Sequence, residues 1–204
     1  MRLPMFPLGS VLLPSMGLPL HVFEPRYRAL TRDCLAGSRE FGVVLIERGS
    51  EVGGGDVRSG VGTVATIIDA DELPDGRWAL LAVGTRRIKV EDWLDDDPYP
   101  LAEVADWPDG ELDDDHEDLL IGALGRLRRV LGLAAEAGDV AAPATLELSD
   151  DPLLAGYQAV AVAPIGSLDR QRLLAAATPS ARLHDLHRLL ADAEEVLELR
   201  LAGG

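Results

Sequence analysis

The hydrophobic pattern of this 204-residue chain changes its period near Pro108, and this change limits the fold more than any other feature. Before Pro108, apolar and β-branched runs alternate with turn residues, which is typical of short strands. We predict strands at residues 43–47, 63–69, 78–83 and 87–93. After Pro108, apolar residues recur at helical spacing. The change predicts an α+β fold, with a β-rich subdomain over residues 1–107 and a helical-bundle subdomain over residues 108–204.

Turn signals separate the predicted strands. The glycine-rich run GSEVGGGDVRSGVG, residues 49–62, predicts a turn, and the sequence DGR before Trp78 predicts a hairpin. Near the N-terminus, the run LPLHVF, residues 18–23, alternates in the manner of a strand. Glu24 and Pro25 then form a corner that leads into a different pattern.

One helix is predicted among the strands, in the segment EPRYRALTRDCLAG. Pro25 suits the first helical position, and Gly37 suits the position just past the end. Tyr27, Leu30 and Cys34 recur at helical spacing, so they predict the face that packs on the sheet.

Four helices are predicted after Pro108. The first covers about residues 112–136, the second begins at Asp151, the third is capped by Ser167, and the fourth begins at Thr178 with Pro179. Two of them carry apolar stripes that predict their buried faces. These stripes are Leu120, Leu124, Leu127, Leu131 and Ala134 in the first helix, and Leu183, Leu186, Leu190, Ala193 and Leu197 in the fourth.

The charge balance disfavours nucleic acid as a partner. The chain has 35 acidic and 19 basic residues, a formal net charge of −16, whereas phosphate binding draws on clustered arginine and lysine. The main basic cluster is Arg26, Arg28, Arg32 and Arg39. We therefore predict no nucleic-acid partner, and a preference for basic or unfolded clients over acidic ones.

The uncharged N-terminal run, residues 3–20, is interrupted by four prolines, so it predicts strand and turn in place of a membrane-spanning helix or signal peptide. Cys34 is the only cysteine, which excludes an intrachain disulfide. These features predict a cytoplasmic protein without a membrane partner.

No motif predicts nucleotide or nucleophilic chemistry. A P-loop is absent, and the run GVGTVA, residues 60–65, has the letters of a dinucleotide fingerprint but is followed by β-branched residues. A turn leading into a strand is the favoured interpretation. Cys34 lies on an apolar stripe and is predicted to be a small core residue and not a nucleophile. We predict no catalytic residue and no cofactor.

The histidines and acidic runs do not predict a metal site. His184 and His187 lie one helical turn apart without a third ligand, so a solvated polar face is favoured. His116 lies in the charged run DGELDDDHED, which lacks the spacing of a calcium loop and predicts a solvated helix start.

Three stretches carry a family resemblance. FPLG followed by LPLHVFEPRYR, then FGVVLIERG, then GTVATIIDADELPDGRWALLAVGTRRIKV, resemble in type and order the N-terminal substrate-binding domain of the ATP-dependent Lon protease. The resemblance implies a PUA-like β pseudobarrel with one embedded helix, followed by a helical bundle. It also implies that the ATPase module and the Ser-Lys peptidase domain of full-length Lon are missing, because Lys89 is the sole lysine and its RIKV context does not resemble the peptidase.

We expect a free-standing, non-catalytic domain that binds polypeptide segments, unfolded clients or a protein partner, in protein quality control or as an adaptor. Its predicted contact residues are His21, Phe23, Glu24, Arg26, Tyr27 and Arg28. An alternative is a small-molecule or enzymatic pocket near His21, Glu24 and Arg26. Pairing into a homodimer, and whether Arg26 and Arg28 brace Glu24 or meet a partner, are left open.

Overall fold

The computed structural model describes residues 1–48 and 57–203, which form two compact units, Met1–Pro108 and Asp109–Gly204. Within the described residues, the first unit contains six strands and one helix, and the second unit contains four helices. The elements of the first unit are β1 (Arg2–Leu8), β2 (Gly17–Val22), α1 (Pro25–Ala36), β3 (Glu40–Arg48), β4 (Val57–Glu72), β5 (Trp78–Leu94) and β6 (Leu101–Asp106). Those of the second are α2 (His116–Glu136), α3 (Pro152–Val162), α4 (Ser167–Leu174) and α5 (Pro179–Ala202).

Five of the strands close into a ring. Their order is β5-β4-β3-β1-β6, and β6 pairs with both β1 and β5, so the ring returns to its starting strand. The β1–β3 pairing is parallel and the other pairings are antiparallel. β2 lies outside the ring, and within the described residues it pairs only with the first part of β5. The α+β class and the pseudobarrel with one embedded helix are confirmed.

β5 joins two predicted strands, residues 78–83 and 87–93, into one strand of 17 residues. The prediction of a break between them was wrong, because Gly84 marks a close contact and not a turn. A Cβ atom on Gly84 would lie 2.4 Å from the carbonyl oxygen of Leu13, so only glycine fits beneath the crossing segment. The predicted hairpin before Trp78 is confirmed, since Leu73 N donates to Arg77 O at the β4–β5 turn.

β4 begins earlier than predicted, at Val57, so the predicted turn at residues 49–62 was wrong over residues 57–62. The rest of that turn, residues 49–56, lies outside the described residues. The GVGTVA run is entirely strand, so it lacks the strand-turn-helix setting that a dinucleotide site needs. Gly62 allows close strand pairing, because a Cβ there would lie 2.2 Å from the Val43 carbonyl oxygen.

The helix α1 seats on the sheet through the predicted face. Tyr27, Leu30 and Cys34 are buried in one hydrophobic cluster together with Phe6 and Phe41 from the strands. Pro25 is the first helical residue and Gly37 follows the last, as predicted. Met5 and Val44, which are sequence neighbours of Phe6 and Val43, belong to a second hydrophobic cluster. This is expected because successive side chains of a strand point to opposite faces of the sheet.

The helical unit follows its predicted stripes closely. Leu120, Leu127 and Leu131 are buried on α2, and Leu183, Leu186, Leu190 and Leu197 are buried on α5, while Leu124 and Ala193 are half-buried. The side chain of Asp151 caps α3, and the Thr178 hydroxyl accepts a hydrogen bond from Ala181 N at the start of α5.

Two predictions for the helix starts were wrong. α2 begins at His116 and not near residue 112, since residues 109–115 are not helical. Ser167 is the first residue of α4 and not its cap, and Gly166 holds the cap position without a side-chain hydrogen bond. None of the helices in residues 1–48 and 57–203 is long and apolar enough to span a bilayer.

A buried polar network lies in the helical unit and was not predicted. Arg182 is 1% exposed, and its Nη2 donates to Asp109 Oδ1 at 2.6 Å and to the Tyr157 hydroxyl at 2.9 Å. Tyr157 donates its hydroxyl to Asp109 Oδ2 at 2.5 Å, and Arg182 Nε donates to the Leu173 carbonyl. The network ties α5 to α3, to the end of α4 and to the segment before α2.

Candidate functional site

The candidate site is a cleft in the β-rich unit between the end of β1 and β2. β2 pairs with β5 along one edge, and within the described residues no strand pairs with its other edge. β1 pairs with β6 only through Arg2–Pro4, so Phe6, Pro7 and Leu8 pair with β3 alone. The cleft therefore lies beside the free edge of β2 and beside a buried part of β1 that pairs with one strand within the described residues.

The cleft is small and largely apolar. Its volume is about 100 Å³. Phe6 and Tyr27 stack behind it, with ring centroids 4.0 Å apart and planes 9° from parallel. Phe23 stands at the rim with 60% of its surface exposed, which is unusual for a large aromatic side chain. The lining residues are Phe6, Leu8, Leu20, His21, Val22, Phe23, Glu24 and Tyr27.

The acid in the cleft is held by an arginine. Arg26 Nε lies 3.0 Å from Glu24 Oε2, and the two side chains are 23% and 20% exposed. The Arg26 guanidinium also lies over the Tyr27 ring, with Cζ 4.5 Å from the ring centroid. Arg26 therefore braces Glu24 and the aromatic wall at once.

Arg28 lies elsewhere. Its guanidinium packs against Gly76 in the β4–β5 turn, where a Cβ atom would lie 2.3 Å from Arg28 Nη2. Gly76 has φ +77°, so glycine is required there both by backbone conformation and by the arginine. The structure thus brings His21, Phe23, Glu24 and Tyr27 together, places Arg26 beside them, and does not bring Arg28 to the cleft.

Sequence reasoning did not include Phe6, Leu8 and Leu20 among the site residues, although they line the cleft. Leu20 stands next to His21 in the strand already identified. Phe6 and Leu8 come from β1, which reaches the cleft only because it pairs with β3 in parallel. No local sequence signal reports that pairing.

The basic cluster of the first unit is used in internal contacts. Arg32 Nη2 lies 2.8 Å from Glu72 Oε1, and Arg39 Nε donates to the Ile67 carbonyl at 2.9 Å. Arg26 and Arg28 have the contacts described above. Each of these four side chains therefore makes a contact within the β-rich unit.

Cys34 and the histidine pair have the surroundings expected of structural residues. Cys34 is 3% exposed, its Sγ donates to the Glu40 carbonyl, and burial raises the pKa of the thiol to about 12. A neutral buried thiol is a poor nucleophile, so the core interpretation of Cys34 is confirmed. His184 is exposed and His187 half-buried on α5. In the part of the chain that the structure describes, no group of three or more histidine, cysteine or acidic side chains could hold a metal ion.

The cleft offers few polar side chains. Its polar side chains are His21 and Glu24, and Glu24 is already paired with Arg26. Among the described residues, no serine, threonine, cysteine or lysine lines it. Small-molecule sites usually measure roughly 300–1,000 Å³, several times this volume. An apolar side chain presented by an extended backbone fits the geometry better.

Comparison with known families and proteins gives one consistent result. The family model described as the ATP-dependent protease La (LON) substrate-binding domain matches residues 2–192. "Lon protease 2" of Herpetosiphon aurantiacus is 32% identical over 203 residues, covering 98% of this chain and 25% of that protein. "Lon protease" of Anaeromyxobacter dehalogenans is 30% identical, covering 97% of this chain and 24% of that protein. The chain thus spans about a quarter of the length of these relatives.

Solved structures show the same likeness. A Lon N-terminal domain protein from Xanthomonas campestris is 32% identical, with a TM-score of 0.64 over 91% of this chain and 96% of that chain. The N-terminal domain of Mycobacterium avium complex Lon protease has a TM-score of 0.69 over 94% of this chain and 99% of that chain. The second structure is only 19% identical, so it supports the fold alone.

Proposed function

Because the chain belongs to the family of ATP-dependent protease La (LON) substrate-binding domains, we propose that it binds unfolded polypeptide segments at the cleft beside β2. A role in substrate recognition follows from the family. The position of the site, the kind of segment and the cellular use are our proposals. In this proposal the matched domain recognises clients and does not cleave them.

The observation that carries the proposal is the open edge of β2 beside an apolar cleft. An extended segment can add to a strand edge through main-chain hydrogen bonds, which every sequence can supply. Alternate side chains of such a segment point the same way, so one of those on the inner face would enter the cleft against the Phe6–Tyr27 stack. This mode favours apolar side chains and tolerates many sequences.

The Glu24–Arg26 pair makes the cleft itself close to neutral. Selection by charge therefore acts at longer range, through the net charge of −16. Basic and unfolded clients would be attracted over a distance of roughly 10 Å at moderate salt, beyond which screening dominates. We propose that the domain serves protein quality control in the cytoplasm, as a recognition module or adaptor.

The test uses fluorescence anisotropy with a reduced, unfolded protein as the labelled probe. Phe23→Ser should weaken binding by about fivefold or more, because an exposed aromatic anchor is the type of residue that dominates such contacts. Ile68→Ser is the matched control, since Ile68 is also an exposed apolar residue of the β-rich unit, at 54% against 60%, and does not line the cleft. Equal losses in the two variants would contradict the site.

Strand addition has its own test with short apolar peptides. Methylation of main-chain nitrogens at alternate positions removes donors along one edge of the peptide only. One of the two methylation registers should abolish binding and the other should leave it nearly intact. Equal sensitivity in both registers would exclude strand addition, even if the cleft is the site.

A further inference from the structure

A second cleft lies in the helical unit, between the N-terminal ends of α2 and α3. It is larger than the cleft beside β2, at about 450 Å³. Part of its lining is apolar, and two of these side chains are exposed to an unusual degree, Leu112 at 42% and Ile121 at 63%. The proposed function described above does not use this cleft.

Four carboxylates also line the cleft, namely Asp113, Asp114, Glu117 and Asp150. None of the four has an ion-pair partner within the described residues, whereas acids elsewhere in the unit, such as Asp139 and Asp169, pair with arginines. The two helix N-termini offer roughly half a positive charge each. Since these offset only about one of the four negative charges, the cleft keeps a strong excess of negative charge.

A buried histidine provides independent evidence for a ligand, because one of its ring nitrogens lacks a hydrogen-bond partner. His116 lines the cleft and is 3% exposed, with Nδ1 3.4 Å from the Ser180 hydroxyl. Its Nε2 is buried and has no hydrogen-bond partner in the described chain. If Nδ1 donates to Ser180, Nε2 is an acceptor that points away from Ser180, and buried acceptors are normally satisfied. A donor from outside the domain would satisfy it once the side chains that cover Nε2 shift, because that atom has almost no exposed surface.

We propose that this cleft is a second polypeptide-binding site, which takes a lysine or arginine side chain next to an apolar one. The cationic group would lie among the four carboxylates, its N–H groups within reach of the His116 ring, and the apolar neighbour would cover Leu112 and Ile121. The inference rests on the proposed function, because it assumes that the clients are polypeptides. It adds that the recognised client segments carry a basic side chain next to an apolar one.

Two labelled synthetic peptides test the proposal, one alternating lysine with leucine and the other alternating glutamate with leucine. The unmodified protein should bind the lysine peptide clearly better. The combined variant Asp113→Asn, Asp114→Asn, Asp150→Asn should weaken that binding by about fivefold, the sum of three modest surface charge pairs. The control neutralises three exposed acids outside the cleft, through Glu136→Gln, Asp192→Asn and Glu195→Gln, and should change affinity by less than about twofold.

The outcomes separate the two proposals. Equal losses in the two triple variants mean general attraction by net charge, and they overturn the second site. Binding of unfolded protein that depends on Phe23 but not on the cleft acids also overturns it, while the proposed function stands. Failure to bind any probe overturns both.

Nuclear magnetic resonance of the unmodified protein covers the case in which the triple variant does not fold. The lysine peptide should shift amide signals of residues 112–124 and 150–152. Shifts confined to β2 and the start of α1 would overturn the second site without any mutation.

Discussion

At the scale of single residues, two glycines of β4 show how closely strand pairing can depend on one atom. Gly60 and Gly62 are two positions apart in the same strand. A Cβ on Gly62 would lie 2.2 Å from a backbone oxygen of Val43, whereas a Cβ on Gly60 would meet nothing within 4 Å. The Val43 oxygen belongs to the backbone, so it cannot move away by a change of side-chain rotamer.

We expect Gly62→Ala to destabilise the β-rich unit by at least about 2 kcal/mol, since overpacking against a paired strand forces the backbone apart. Gly60→Ala should change the free energy of unfolding by about 0.5 kcal/mol or less. Urea unfolding followed by circular dichroism measures both. Similar values for the two variants would show that the ring tolerates displacement of β3.

The thiol of Cys34 gives a pH dependence. Burial raises its pKa to about 12, from an ordinary value of 9.0 in the unfolded chain. Between these values the folded state binds more protons than the unfolded state, so stability falls as pH rises above about 9. Below pH 9 both states hold the proton, and the contribution is fully present.

Cys34→Ala should therefore show a smaller loss of stability between pH 9 and pH 11 than the unmodified protein. The comparison cancels other groups that titrate in this range, except Tyr99, whose pKa is raised chiefly by burial and in part by Cys34 itself. Urea midpoints at each pH provide the measurement. Parallel pH profiles for the two proteins would mean that the Cys34 thiol ionises as readily in the folded state as in the unfolded chain.

At the scale of elements, the helical unit depends on a polar contact as well as on its apolar stripes. Arg182 is buried on α5 and pairs with Asp109, whose side chain is 9% exposed. The Arg182 guanidinium also lies over the Tyr157 ring on α3, with Cζ 4.0 Å from the centroid. Loss of one partner would leave the other charge buried without compensation.

Arg182→Met should destabilise the helical unit by about 3–5 kcal/mol, and the double variant Arg182→Met, Asp109→Leu should recover part of that loss. Arg188→Met is the control, because Arg188 lies on the same helix, is 63% exposed and pairs with Asp185 on the surface. We expect a change of about 0.5 kcal/mol or less there. No recovery in the double variant would show that Arg182 acts through packing and not through its charge.

Helix positions were predictable from sequence because their signals are local. Pro25, Asp151 and Thr178 mark helix starts through chemistry within a few residues, and the structure confirms them. The strands were less predictable in extent, since Gly84 and Gly62 read as turn residues and in fact mark close approaches of distant backbone. The burial of His116 and Arg182 was hidden for the same reason, because Ser180 lies 64 residues from His116 and Asp109 lies 73 residues from Arg182.

The candidate site also has a part that was predictable from local sequence and a part that was not. His21, Phe23, Glu24 and Tyr27 are close in sequence, so one motif could place them together. The wall contributed by β1 depends on a parallel pairing with β3 across the sheet, which no nearby residue encodes. The roles of these side chains in contacting a partner remain predictions until the variants are measured.

At the scale of the whole molecule, the two compact units make a prediction about proteolysis. Residues 110–114 are exposed and belong to no helix or strand, and they include Glu111, Asp113 and Asp114. A protease specific for acidic residues should cut there early. We expect two fragments, each retaining secondary structure by circular dichroism, as the proposed division at residues 107 and 108 requires. The helical fragment should be the less stable of the two, because the cut separates Asp109 from its buried partner Arg182.

Loss of structure in both fragments would mean that the units do not fold independently, and would overturn that division. Light scattering on the intact chain tests the homodimer, which stays a prediction.

The two strand edges beside the cleft each contain a proline, Pro7 in β1 and Pro19 in β2. Proline lacks an N–H group and is tolerated in a strand mainly where its nitrogen faces an unpaired edge. An edge with missing donors can hold one short client segment for a time, yet it is a poor template for stacking chain upon chain. In the proposed function, the two prolines would therefore keep a protein that binds unfolded segments from forming fibres with them.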